Sequence, residues 1–250
     1  MPSTPRWEAV TGRHIRVRRK SSEQVILGGQ VLSDLDLWRL AGAVDETVVD
    51  VEPPRPMGGG MTHWMLDGSN VGPSGRLRSG ALALARDGVF SSPSRRRLDV
   101  SDDPNVGPVL RNRGYYLSEP LQGQGIAWAA LCLQVEAAHR LGIARIDVHV
   151  EADTEVDLTK RVGRLQWLRM GFDGPVPAEI LRSLTATMRA RLRLPEHALL
   201  SQLLVTPEGR DLWIRSPLEC VLTLDLVNPT PAGRALLASA RSKGTCVRTR

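Results

Sequence analysis

Lysine is almost missing from this chain. Lys20, Lys160 and Lys243 are the only lysines among 33 basic residues, and arginine supplies the rest. An arginine bias can mark nucleic-acid contact, but a GC-rich coding sequence produces it too, and that is the plainer cause. Aromatic residues make up only 4%, too sparse for a protein that stacks single-stranded bases. The cysteines, Cys132, Cys220 and Cys246, are odd in number and far apart. Neither a disulfide framework nor a zinc site follows from them, so no metal is expected, and a reducing cytoplasm is the expected location. No apolar run approaches the roughly 18 residues that cross a bilayer. The opening stretch, Met1 to Glu8, lacks the apolar centre of a signal peptide, and no membrane partner is expected.

What remains is the composition of a globular protein, 250 residues long with a net charge of +6. That length buries a proper core, and the charge favours acidic partners. Alternation predicts strands over 14–18, 25–27, 47–51, 61–66 and 77–85. Ser33 and Asp34 offer N-caps to a helix through Leu37, Leu40 and Val44. Residues 53–60 read as a break and 67–75 as turn-rich. Residues 90–108, rich in Pro, Ser, Arg and Asp, read as a mobile surface loop. Helices are expected over 157–170 and 178–193, strands over 143–150, 199–205 and 218–227, and a short helix with a basic tail over 229–250.

The most informative stretch runs from Gly114 to Gly142. Tyr115, Tyr116 and Leu117 favour a strand. Gly123 and Gly125 then let a ligand approach the main chain. From Ile126 the apolar residues recur at helical spacing through Ala130, Leu133, Ala137 and Leu141, and Gly142 is a stop. A helix start beside glycine suits phosphate, because its first N–H groups and its dipole face outward. The Walker pattern fails here, since no Lys-Ser or Lys-Thr follows. The dinucleotide fingerprint is weak, because Trp128 stands where a small residue is needed, and Asp147 lies inside the next strand rather than at its end.

Gln122-Gly123-Gln124-Gly125-Ile126-Ala127 matches Gln/Arg-x-x-Gly-x-Gly/Ala at every defined position. It resembles the acyl-CoA pyrophosphate loop of the GNAT superfamily of N-acyltransferases. Trp167-Leu168-Arg169-Met170-Gly171-Phe172 is similar to that family's Tyr-x-x-x-Gly-Phe ending of the following helix. The resemblance covers about residues 113–172. It implies an α+β fold with a mixed, largely antiparallel central sheet flanked by helices, occupying 13–228. A flexible 1–12, an inserted helix over 178–193 and a C-terminal extension over 229–250 complete that picture. It further implies transfer of an acetyl group from acetyl-CoA to the primary amine of an acceptor, by a monomer or homodimer.

On that resemblance, Leu117 and Ser118 at the strand's end would pair with the pantetheine arm. Gln122, Gly123, Gln124, Gly125, Ile126 and Ala127 would hold the pyrophosphate. Glu119 is the nearest carboxylate to the reaction centre and so the candidate base, with a solvated turn glutamate as the plainer reading. Glu151 and Asp153 are rivals, and His149 reads as a packed histidine. Trp167 replaces the tyrosine that commonly protonates the thiolate, and an indole N–H is a donor but no acid. Tyr115, Tyr116 or Ser118 would then supply the proton, or the thiolate leaves unaided. Lys160 stands where an asparagine is frequent, and Glu119-Pro120 reverses the usual order.

A non-catalytic module that binds acyl-CoA or a protein is the alternative. Arg95, Arg96 and Arg97 could meet an anionic acceptor, although a solvated cluster explains them as well. The run Arg189-Ala190-Arg191-Leu192-Arg193 raises nucleic acid as a partner, but no common nucleic-acid motif accompanies it and none is expected. The acceptor leaves no signature.

Overall fold

Short alternating stretches in the first half of the chain assemble a sheet. The computed structural model describes residues 16–42, 48–51, 55–57, 61–69, 95–103, 106–116, 126–150, 165–192, 194–195 and 197–248. The chain divides into two compact units, residues 1–146 with 237–250, and residues 147–236.

In the first unit, β1 (Arg16–Arg19) pairs in parallel with β4 (Val48–Val51). From there the ladder is antiparallel, through β6 (Met61–Ser69) and β7 (Arg95–Asp103) to β8 (Gly107–Tyr116). Strand alternation sorts β4 cleanly: Val49 and Val51 are buried, while Asp50 binds Arg18 through two contacts of 2.6 and 2.7 Å. The small hairpin of β2 (Ile26–Leu27) and β3 (Gln30–Val31) turns on Gly28 and Gly29, with φ of 53° and 75°. Two successive positive φ values are what a tight two-residue hairpin needs.

α1 (Asp34–Leu40) begins with a capping box: Ser33 Oγ accepts from the Asp36 N–H, and the Ser33 N–H donates back to Asp36. It buries Leu37, Trp38 and Leu40. α2 (Ile126–Arg140) buries a continuous run from Ala129 to Val135, then Ala137 and Ala138. Each large apolar side chain so buried stabilises the fold by roughly 1.5–3 kcal/mol. The helix stops where the sequence predicts. Gly142 takes φ 71°, its N–H donates to His139, and the Ile143 N–H reaches back to Ala138 at 2.9 Å, a Schellman ending.

β9 (Arg145–Val150) carries the chain from the first unit into the second. There the extended residues 173–176 bridge to β10 (Cys220–Asp225) at Asp173 and Thr223, and to Leu199 at Pro175. Helices complete this unit. The described part of α3 is residues 165–169. It is followed by α4 (Ala178–Ser183), α5 (Ala186–Leu192), α6 (Leu200–Leu203) and α7 (Pro207–Arg215). α8 (Pro231–Arg248) opens here on the Thr230 cap, with Gly233 N–H to Thr230 Oγ1 at 3.1 Å, and continues past the unit boundary.

A mixed α+β architecture with mostly antiparallel pairing is therefore observed. Several local expectations are corrected. Of the loop expected over 90–108, residues 95–103 form β7 and 107–108 open β8, because cross-strand pairing overrides their polar composition, while 90–94 and 104–105 lie outside the described residues. The break at 53–60 contains β5 (Arg55–Met57), paired with the start of β6. The helix over 178–193 is two helices, because Leu184 turns extended and Thr185 caps α5 through the Met188 N–H. The strand over 199–205 is a helical turn instead. Leu200 and Leu203, three apart, are its buried pair, and period three wins over period two. α7, which was not foreseen, is announced by Thr206-Pro207, an N-cap followed by proline at the first helical position. The turn-rich stretch expected over 67–75 begins instead as strand, because β6 runs on through Ser69 paired on both sides; its remainder 70–75, the expected strand 77–85 and the terminus 1–12 lie outside the described residues. Among the described residues no helix is long and apolar enough to cross a membrane.

Candidate functional site

The junction of β8 with α2 is organised by a buried amide pair. Asn112 Nδ2 donates to Gln134 Oε1 at 3.1 Å, and Gln134 Nε2 donates to Asn112 Oδ1 at 3.0 Å. The same Gln134 nitrogen donates to the Leu40 carbonyl at 2.7 Å. Gln134 is fully buried and Asn112 nearly so. A single side chain thus ties β8, α2 and the end of α1 together. A second tie lies at the other end, where the Ala144 N–H donates to the Pro108 carbonyl at 2.8 Å.

These two ties set the helix antiparallel to the strand and fix its level. From Gln134 back to Ile126 is about 12 Å at helical rise. From Asn112 forward to Tyr115 and Tyr116 is about 10–13 Å at strand rise. On ideal rises the first turn of α2 and the last residues of β8 thus lie at similar distances from the amide pair. That turn holds no acidic residue, whereas His139 and Arg140 lie in the last turn. The positive end of the helix dipole is left without a carboxylate of its own, and the negative end carries basic residues.

β8 also contains an irregularity that the sequence reading missed. Leu98 pairs with Asn112 but Arg97 pairs with Gly114, leaving Arg113 as an extra residue. Such a bulge shifts the alternation by one. Gly114 inside a strand was the available signal. The register sets Arg95 opposite Tyr116 and Arg96 opposite Tyr115. Arg95, Arg96 and Arg97 thus belong to the strand beside β8, not to a loop bordering it.

Of the residues predicted to carry the chemistry, Tyr116 is the last of β8 and Ile126 the first of α2, with Ala127, which is exposed, following it. Leu117, Ser118, Glu119, Gln122, Gly123, Gln124 and Gly125 lie outside the described residues, as do Lys160, Glu151 and Asp153. The sequence joins this strand end to this helix start through residues 117–125.

The second motif has a local explanation. Gly171 takes φ 92°, its N–H donates to Leu168, and the Phe172 N–H reaches back to Trp167, both at 3.1 Å. This is the same ending as at Gly142. The Trp167 and Phe172 rings meet edge to face, with centroids 5.1 Å apart at 74°, the apolar contact that accompanies such a cap. A Cβ on Gly171 would overlap the main chain of Ala232 and Gly233.

His149 is exposed rather than packed, because it occupies the outward position of β9, with its Nε2 3.3 Å from Glu219. Asp147 is buried and accepts from Thr223 Oγ1 at 2.9 Å, a structural bond within the second unit. Arg191 is bonded to Glu208 at 2.6 Å and Arg189 donates to the Leu181 carbonyl, so this basic run makes protein contacts. In the first unit, burial pushes the Asp36 carboxyl up. Hydrogen bonds from Ser33 and Arg140 outweigh that and hold it below the usual carboxylate range. Among the described residues no three His, Cys, Asp or Glu side chains gather as metal ligands would.

Neither the protein-family models nor the curated proteins compared with this chain match it.

Proposed function

We propose that this chain is an acyl-CoA-dependent N-acyltransferase that moves the acetyl group of acetyl-CoA to a primary amine. The observation that carries this reading is the start of α2 at Ile126. It follows Gln122–Gly125 directly in the sequence, has no acid in its first turn, and belongs to a helix tied to β8 through Gln134 and Asn112. An electropositive helix start at a strand's end suits the diphosphate of an acyl-CoA. Gln122, Gly123, Gln124, Gly125, Ile126 and Ala127 would hold that group, and Leu117 and Ser118 would line the thioester arm. The amine nitrogen attacks the thioester carbonyl, the carbon–sulfur bond breaks, and the sulfur takes up a proton. Glu119 would accept the amine's proton, and Tyr116 or Ser118 would supply the sulfur's.

A second reading, a module that binds acyl-CoA or a protein without catalysis, is favoured by one observation. Trp167, at the position of the family's acid, is half-buried and engaged edge-on with Phe172. Free CoA release from acetyl-CoA, measured over a broad panel of amines, separates the two. Amine-dependent release supports the transferase. Tight acetyl-CoA binding with no release under any amine supports the second reading.

A further inference from the structure

The amide pair in the core of the first unit is costly in a way an apolar pair is not. Sliding α2 along β8 by one helical turn, or rotating it by one residue, would break the Asn112–Gln134 bonds and the bond to the Leu40 carbonyl together. Each would leave a buried polar group unsatisfied. Leucine at both positions would fill similar space, yet it would tolerate several levels and rotations of the helix. Buried polar pairs of this kind fix register. Here the register at stake is the level of Ile126 against Tyr116, about 12 Å from the pair along the helix.

We propose that Asn112 and Gln134 are positioning residues for the acyl-CoA site, setting where the first turn of α2 stands against the end of β8. The ligand's identity rests on the acyltransferase reading; the pinning of the helix does not. The decisive variant is the double N112L/Q134L, in which the amide pair is replaced as a whole, the Leu40 carbonyl still losing its donor. Its expected behaviour is a melting temperature between those of Gln134→Leu and the wild type, with acetyl-CoA affinity weakened about tenfold or more, as expected when a site is held loosely. Leu37→Ala, a core truncation in α1, serves as control: it lowers the melting temperature and leaves acetyl-CoA affinity unchanged. The swap N112Q/Q134N rebuilds an amide pair of the same summed length and recovers affinity.

Hydrogen exchange without ligand supplies an independent reading. The amides at the start of α2 exchange faster in N112L/Q134L than in the wild type or in Leu37→Ala. If the wild type ignores acetyl-CoA, the transferase reading fails and this exchange arm still decides the pinning. Unchanged exchange at the start of α2, or wild-type acetyl-CoA affinity in N112L/Q134L, overturns the proposal.

Discussion

Two helices in this chain end in the same way and for different reasons. α2 stops at Gly142 and the following helix at Gly171, both with positive φ and both with the paired return bonds of a Schellman ending. At Gly142 nothing lies within 4 Å of where a Cβ would stand, whereas at Gly171 the first turn of α8 fills that space. The first glycine serves the backbone conformation alone, and the second also permits a close packing of chain on chain. The comparison teaches caution about Trp167-x-x-x-Gly171-Phe172, because a helix cap with its apolar contact produces that string without any catalysis. Gln122 to Ala127 instead leads into a helix start, at Ile126, and the functional argument rests there.

The sharpest way to separate the two endings is alanine at each glycine. Gly171→Ala should cost about 3 kcal/mol or more, since strain at positive φ adds to overlap with the main chain, and urea unfolding midpoints measure it. Between the two endings in expected size lies Gln134→Leu. It strands the amide of Asn112 and the Leu40 carbonyl and should cost about 2–3 kcal/mol. Adding Asn112→Leu should recover part of that, which a double-mutant cycle reads directly. Gly142→Ala, with open space around it, should cost only about 1 kcal/mol. Equal losses at the two glycines would break the comparison.

The smallest effect expected is at Asp36, which caps α1 and meets Arg140 at 2.5 Å. Asp36→Asn should cost about 0.5–1 kcal/mol near neutral pH. Because the folded carboxyl is held below its ordinary value, its contribution is fully present above about pH 4 and is lost as pH falls through the lowered folded value. The gap between wild type and Asp36→Asn should therefore narrow in acid, as melts across the pH range would record.

Where one residue's local chemistry decided the structure, the sequence was legible. Ser33 before Asp34, Gly142 after the apolar stripe, and the strand at 218–227 could all be read in advance. It misled where partners decided. Arg95 to Asp103 look like loop until β6 and β8 pair with them on both sides. Leu199 to Leu204 fit either period until burial selects Leu200 and Leu203. The extra residue at Arg113 was signalled only by Gly114, and the Asn112–Gln134 pair lies 22 residues apart, beyond any local pattern. Of the candidate site, the strand end and the helix start were anticipated. The buried tie between their two elements was not, because it joins residues distant in sequence.

The central proposal is that the residues leading into α2 bind the diphosphate of an acyl-CoA, and a melting series with acetyl-CoA tests it most directly. At a ligand concentration 100 times Kd the wild type should gain about 2.7 kcal/mol of stability, and the double variant Gln122→Ala/Gly125→Val should gain none. A wild type whose melting temperature does not move in millimolar acetyl-CoA, or a double variant stabilised as much as the wild type, would contradict it.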